Sequence, residues 1–187
     1  GIKNDYNLND AIMEEALSYG KPDKIAWFER PYLKKVRQLY AGQYNEVFTK
    51  QNTPKEYLKK FDIHQDITYV QHHLSHASAG YFTSPYDEAC VIVLDAIGEF
   101  ECATIWYVKD GKFEKRWSQK YPNSLGLWYS AMTQRLDLKP QEDEYILMGM
   151  AGWGEKNEEL KKEIYNSFFD TDSNNPISSI HNLHKGC

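Results

Sequence analysis

Apolar residues recur at helical spacing at Ala11, Ile12, Ala16 and Leu17, with Asn9 ahead of them as an N-cap. Gly20 and Pro22 stop that run. Residues 24–28, Lys-Ile-Ala-Trp-Phe, are short, apolar and partly aromatic, which predicts a buried strand. Pro31 opens a second helix with Leu33, Val36, Leu39 and Tyr40 on one face, and Lys34, Lys35 and Arg37 on a solvated one. Residues 42–53 read as a connection, 54–61 as a short helix and 67–70 as the next strand. Residues 72–82 read as a helix of small residues stopped by Ser84 and Pro85.

The pattern changes after Pro85. Residues 90–95, 101–108 and 112–120 form three consecutive strand-like runs, the last two joined by Asp110-Gly111, a strong hairpin signal. Helices follow at 124–135, 143–151 and 155–168, the last with Leu160, Ile164 and Phe168 on one face. The segment 170–179, rich in Asp, Ser, Asn and Pro, reads as a loop. Strands alternating with helices imply a parallel element, and three antiparallel strands followed by helices imply a new start. That order suits a junction between two similar halves, at about residue 86, with 1–86 ending the first half and 87–187 beginning the second. Neither half has all its strands, so the chain is expected to be a fragment, with the remainder of the same polypeptide missing at both ends.

Composition narrows the function classes. The longest apolar run, 89–94, is far short of the ~20 residues of a membrane-spanning helix, and the N-terminus has no apolar signal region. Cys90, Cys102 and Cys187 have neither metal-type spacing nor an even count, which suits a reducing cytoplasm. With 22 Lys and Arg against 27 Asp and Glu, the net charge is −5, which argues against broad binding to nucleic acid.

The chemistry-bearing residues lie in four segments. In Gln71-His72-His73-Leu74-Ser75-His76, three of the six histidines fall together. His72 and His76, four apart, share one helix face and could bind one divalent metal; two histidines satisfied by backbone or water fit the spacing as well. A zinc-protease helix is excluded, because His73 stands where that motif requires glutamate. Asp95 ends the apolar run Val91-Ile92-Val93-Leu94, and Glu99 follows a glycine-containing turn. A carboxylate there is costly unless paired or bound to a cation; a turn cap and a third metal ligand are both open. Ser124 is a good N-cap, and with Gly126 nearby the helix start could receive an anion, although an ordinary capped helix is commoner. Residues 144–154 combine an apolar stretch with Gly149, Gly152 and Gly154, suggesting tight packing under a cleft, while Glu142, Asp143 and Glu144 read as a solvated charge cluster.

Taken in order, these segments resemble the nodulation-type O-carbamoyltransferase family. The likeness runs over about 71–154 through His72-His73-Leu74-Ser75-His76-Ala77, Leu94-Asp95-Ala96-Ile97-Gly98-Glu99, Ser124-Leu125-Gly126 and the Glu144-Tyr145 to Gly154 segment. Ala96 replaces a family glycine, Ile146 a family lysine, and Gly152-Trp153 a small residue or proline followed by tyrosine. None of these changes touches the expected ligands.

The resemblance implies an α/β fold of the actin-like ATPase (ribonuclease-H-like) class, here partial, with a three-stranded antiparallel meander followed by helices. It implies that His72, His76 and Asp95 bind a divalent metal, Fe2+ in the family, with a further aspartate beyond Cys187. It places Ser124 and Gly126 near a nucleotide. The implied activity is transfer of a carbamoyl group from carbamoyl-adenylate, made from carbamoyl phosphate and ATP in another domain, to a small-molecule hydroxyl acceptor. A homodimer remains open, and the fragment alone is expected to be inactive. Two alternatives stand beside this reading: a kinase or ATPase of the same superfamily, whose magnesium prefers oxygen ligands, and a non-catalytic domain retaining the fold.

Overall fold

The structure, a computed structural model, describes residues 9–40, 42, 44–47 and 53–170. The expected loop at 170–179 and the chain end lie, after Asp170, outside the described residues. The chain divides into two compact units, Gly1–Ser75 and His76–Cys187, and the division passes through a single helix.

In the first unit, α1 (Asp10–Ser18) starts where Asn9 accepts hydrogen bonds from the Ala11 and Ile12 amides. Strand β1 (Ile25–Trp27) leads into α2 (Pro31–Tyr40), α3 (Tyr44–Val47) and α4 (Pro54–Lys59), and β2 (Ile67–Tyr69) returns parallel to β1 with Ile25 opposite Ile67. A parallel pair requires such a crossover, and helices are its usual form. Two expectations are corrected. The 42–53 segment is not a plain connection, since α3 lies within it. Nor is the apolar face of α2 its buried one: Val36, Leu39 and Tyr40 are exposed, whereas Gln38 is buried. Lys34, expected on a solvated face, is drawn against the buried Glu29 carboxylate at 2.8 Å. A carboxylate removed from water needs a partner, and Lys34 supplies it.

Helix α5 (His72–Phe82) opens at the predicted residue and leads into the second unit. Strands β3 (Glu88–Gly98), β4 (Glu101–Lys109) and β5 (Lys112–Lys120) form an antiparallel meander in the order β3-β4-β5. Asp110 and Gly111 both take positive φ, 49° and 71°, as the two central residues of a tight primed hairpin turn do. Cys102, Ala103, Thr104, Trp106 and Val108 make β4 the buried centre of the sheet. Ala77 and Tyr81 of α5 are buried, and the Tyr81 hydroxyl donates to the Asp87 carbonyl while accepting from the Gly111 amide. The Tyr81 and Phe113 rings meet edge to face at 5.5 Å.

Helix α6 (Leu125–Arg135) packs on β3, followed by α7 (Glu144–Met150) and α8 (Glu158–Phe168). Helix α8 begins later than expected because the Asn157 side chain caps it by accepting from the Leu160 amide. The glycine-rich stretch from the last turn of α7 onward is not tightly packed: a Cβ at Gly149 would meet nothing within 4 Å, and Trp153 is 93% exposed. Among the described residues, no helix is long and apolar enough to cross a membrane.

Candidate metal centre

Helical periodicity alone places His72 and His76 one turn apart on α5. The His76 side chain is half exposed, whereas His72, one turn earlier, is mostly buried. His73 points elsewhere and is fully buried. The backbone of β3 places the third residue. Its pairing with β4 is regular as far as Leu94 opposite Ala103, then shifts register and resumes only at Gly98 opposite Glu101. Asp95 is the first residue of that irregular stretch. It is therefore not at the strand end, as the sequence suggested, but at the point where the regular ladder lapses.

The Asp95 carboxylate is divided between two tasks. Its Oδ1 accepts from the Ala96 amide at 2.7 Å, and its Oδ2 lies 3.8 Å from His76 Nε2. One ligand atom from each of His72, His76 and Asp95 can be chosen so that all lie within 4.8 Å of one another. Donors bound to a single ion at ~2.0–2.2 Å stand about 3–4.4 Å apart, so the three side chains must draw closer to share one ion. Two imidazoles and one carboxylate with further positions open are the donor set of non-haem Fe(II) sites. The donor chemistry therefore fits a borderline divalent cation better than magnesium, which favours oxygen ligands alone.

Glu29, just after β1, was missed by the sequence reading. It is buried, its Oε1 is bonded to Lys34, and its Oε2 is 3.9 Å from His72 Nδ1. The Phe28 ring stands edge-on to His72 at 5.5 Å. A carboxylate directly after a short apolar strand was the available signal, the same one that singled out Asp95. Glu99 is buried and turns the chain with φ 59°, outside the three-donor group.

Ser124 caps α6 by accepting from the Leu127 amide at 3.1 Å, and its hydroxyl donates to the Ala96 carbonyl at 2.6 Å. Gly126 lies against the backbone of Asp95 and Ala96. The acidic group at 142–144 is not simply solvated. Glu144 accepts from the buried Ser130 hydroxyl and from the Gln141 amide, and Asp143 accepts from the Lys139 amide. These bonds make Glu144 a brace between α6 and α7.

The family model described as carbamoyltransferase N-terminus matches residues 4–182, so the chain belongs to that carbamoyltransferase family. An uncharacterised Synechocystis protein, sll1178, is 34% identical over 131 residues, which are 70% of this chain and 19% of that protein. An uncharacterised Methanocaldococcus jannaschii protein, MJ1058, is 28% identical over 142 residues, 67% of this chain and 23% of its own length. The chain thus spans about a fifth of the length of these relatives.

Proposed function

We propose that the chain is part of a cytoplasmic O-carbamoyltransferase that moves a carbamoyl group from carbamoyl-adenylate to a hydroxyl acceptor. The observation that carries this reading is the approach of His72, His76 and Asp95 within one carbamoyltransferase-family chain. In this reading the three side chains hold a divalent cation, Fe2+ as the family resemblance implies, and their donor set suits such an ion. Such an ion supplies positive charge that stabilises a phosphate leaving group and polarises an acyl oxygen. His76, half exposed, faces the side from which substrate arrives, while His72, mostly buried beside Phe28 and Glu29, anchors the set. The carbamoyl-adenylate is made from carbamoyl phosphate and ATP elsewhere in the same polypeptide. The meander β3–β5 with α6 is read as the opening of a second ribonuclease-H-like half of an actin-like fold, beginning near residue 87, and 1–86 as the end of the first.

The test separates two reactions in the full-length protein. Pyrophosphate release reports adenylate formation, and carbamoylated product reports transfer. His76→Ala should bring transfer to background and leave pyrophosphate release near wild type. Transfer at the wild-type rate would reject the metal role of His76. Loss of both activities with the fold intact would reject the division of labour. Metal analysis of the purified protein provides an independent readout, since wild type should carry the ion and His76→Ala should not.

A further inference from the structure

The three donors are held in different ways. The two histidines ride on a continuous helix, so their spacing is set by backbone hydrogen bonds. Asp95 stands where the β3–β4 ladder shifts register between Leu94 and Gly98. The first turn of α6 meets the chain at that step. The Ser124 hydroxyl donates to the Ala96 carbonyl at 2.6 Å, lies 3.3 Å from the Asp95 carbonyl, and accepts from the Leu127 amide. Ser124 is only 1% exposed, and its one proton is given to the protein.

Gly126 presses on the same peptide. A Cβ at that position would stand 2.8 Å from Ala96 Cα, 2.9 Å from Ala96 N and 3.1 Å from Asp95 C. All three are backbone atoms, so relief would require the strand itself to move. The Ala96 amide is also the donor that holds Asp95 Oδ1 and leaves Oδ2 toward His76. A shift of that amide therefore re-aims the carboxylate.

We infer that Ser124 and Gly126 are positioning residues that clamp the Asp95–Ala96 peptide and thereby aim the Asp95 carboxylate at the metal position. This inference rests on the reading of Asp95 as a metal ligand. It assigns the two residues a role through Asp95, in place of direct contact with a nucleotide. Residues that orient a metal ligand without touching the ion typically change affinity 10- to 100-fold when altered.

The experiment is titration of the metal-free full-length protein with Co2+, read as a dissociation constant and as the visible absorption spectrum of the bound ion. Wild type should bind one Co2+, and Asp95→Asn should lose it. Ser124→Ala, which adds no atom, and Gly126→Ala should each weaken binding by about 10- to 100-fold and alter the spectrum. Val108→Ala, at the far end of the sheet, controls for lost stability and should leave both readouts unchanged. Equal binding by wild type and Asp95→Asn would overturn the ligand reading itself. Loss in Asp95→Asn with wild-type constants and spectra in Ser124→Ala and Gly126→Ala would overturn the clamp alone. If Gly126→Ala does not fold, Ser124→Ala decides. A weakening matched by Val108→Ala would reduce the effect to stability and also overturn the clamp.

Discussion

The two sheets among the described residues are held in opposite ways. The β3–β5 meander has strands of 11, 9 and 9 residues, joined by tight turns, and its central strand is buried along most of its length. The β1–β2 pair has three residues on each side, and none of them is buried. The meander forms its ladder between neighbours in sequence, so each strand meets its partner after closing only a short loop. The parallel pair joins Ile25 to Ile67 across three helices and must close a long loop for a short ladder. The comparison shows why the irregular step at Asp95 is tolerated: it is set in the better-supported sheet, with regular pairing before it and a helix packed against it.

The largest expected effect tests where that support lies. Trp106, 4% exposed, stacks edge to face on Phe113 and donates its indole N–H to Thr104. Trp106→Ala should cost about 3–5 kcal/mol, measured as a fall in the urea midpoint. Met148→Ala, on exposed α7, should stay within ~0.5 kcal/mol. Similar losses for the two would remove the contrast between sheet and surface helix.

Next in size is the hairpin. Gly111 has φ 71°, and a Cβ there would meet only the Phe82 ring at 4.0 Å. Gly111→Ala should cost about 1–2 kcal/mol from left-handed backbone strain and not from crowding. A neutral result in the same urea assay would show that the turn does not set the meander's register.

A smaller effect is expected in the first unit, where α1 has no buried residue and depends on its cap. Asn9→Ala should remove about 1 kcal/mol of local helix stability. Amide exchange at Ala11 and Ile12 should quicken while the global urea midpoint holds. A global shift would mean that α1 is coupled to the rest of its unit.

The smallest effect is electrostatic and joins β3 to β4. The Tyr107 hydroxyl, first, and the Lys109 ammonium, second, hold the Glu88 carboxylate below its ordinary range. A lowered carboxylate pKa means that this contribution is present above the unfolded value of 4.5 and disappears as pH falls through the folded one. Tyr107 and Lys109 are raised by the same contacts, Tyr107 chiefly by its hydrogen bond to Glu88 and Lys109 likewise, so their contribution fades as pH rises through their folded values. Glu88→Gln should flatten the acid limb of stability against pH slightly, because the cluster is solvent-exposed. An unchanged acid limb would show that the contacts do not act in solution.

Local signals in the sequence were sufficient for most elements. The Asn9 cap, Pro31 at a helix start, the small-residue run at 72–82, the Asp110-Gly111 turn and the Ser124 cap each act within a few residues. The His72–His76 pair belongs to this class, because the spacing is a property of any helix. Where side-chain pairing decides the outcome, the pattern misled. The apolar residues Val36, Leu39 and Tyr40 of α2 are exposed while Lys34 pairs with buried Glu29, and Glu144 is braced because buried Ser130 needs an acceptor. Gly149, Gly152 and Gly154 suggested close packing, but backbone approach depends on what lies opposite, and a Cβ at Gly149 would meet nothing within 4 Å.

The sequence by itself determined two histidines on one helix face, an acidic residue ending an apolar run, and a capped helix 29 positions further on, since helix period, hydrophobic pattern and cap chemistry are all local. Only the tertiary structure decided that the acidic residue sits at a lapse in the β3–β4 ladder, that one of its oxygens faces His76, and that Ser124 and Gly126 grip the peptide beside it. The physical reason is that ladder register and backbone-to-backbone approach are set by pairs of segments distant along the chain. No local pattern of residues encodes the separation between such segments.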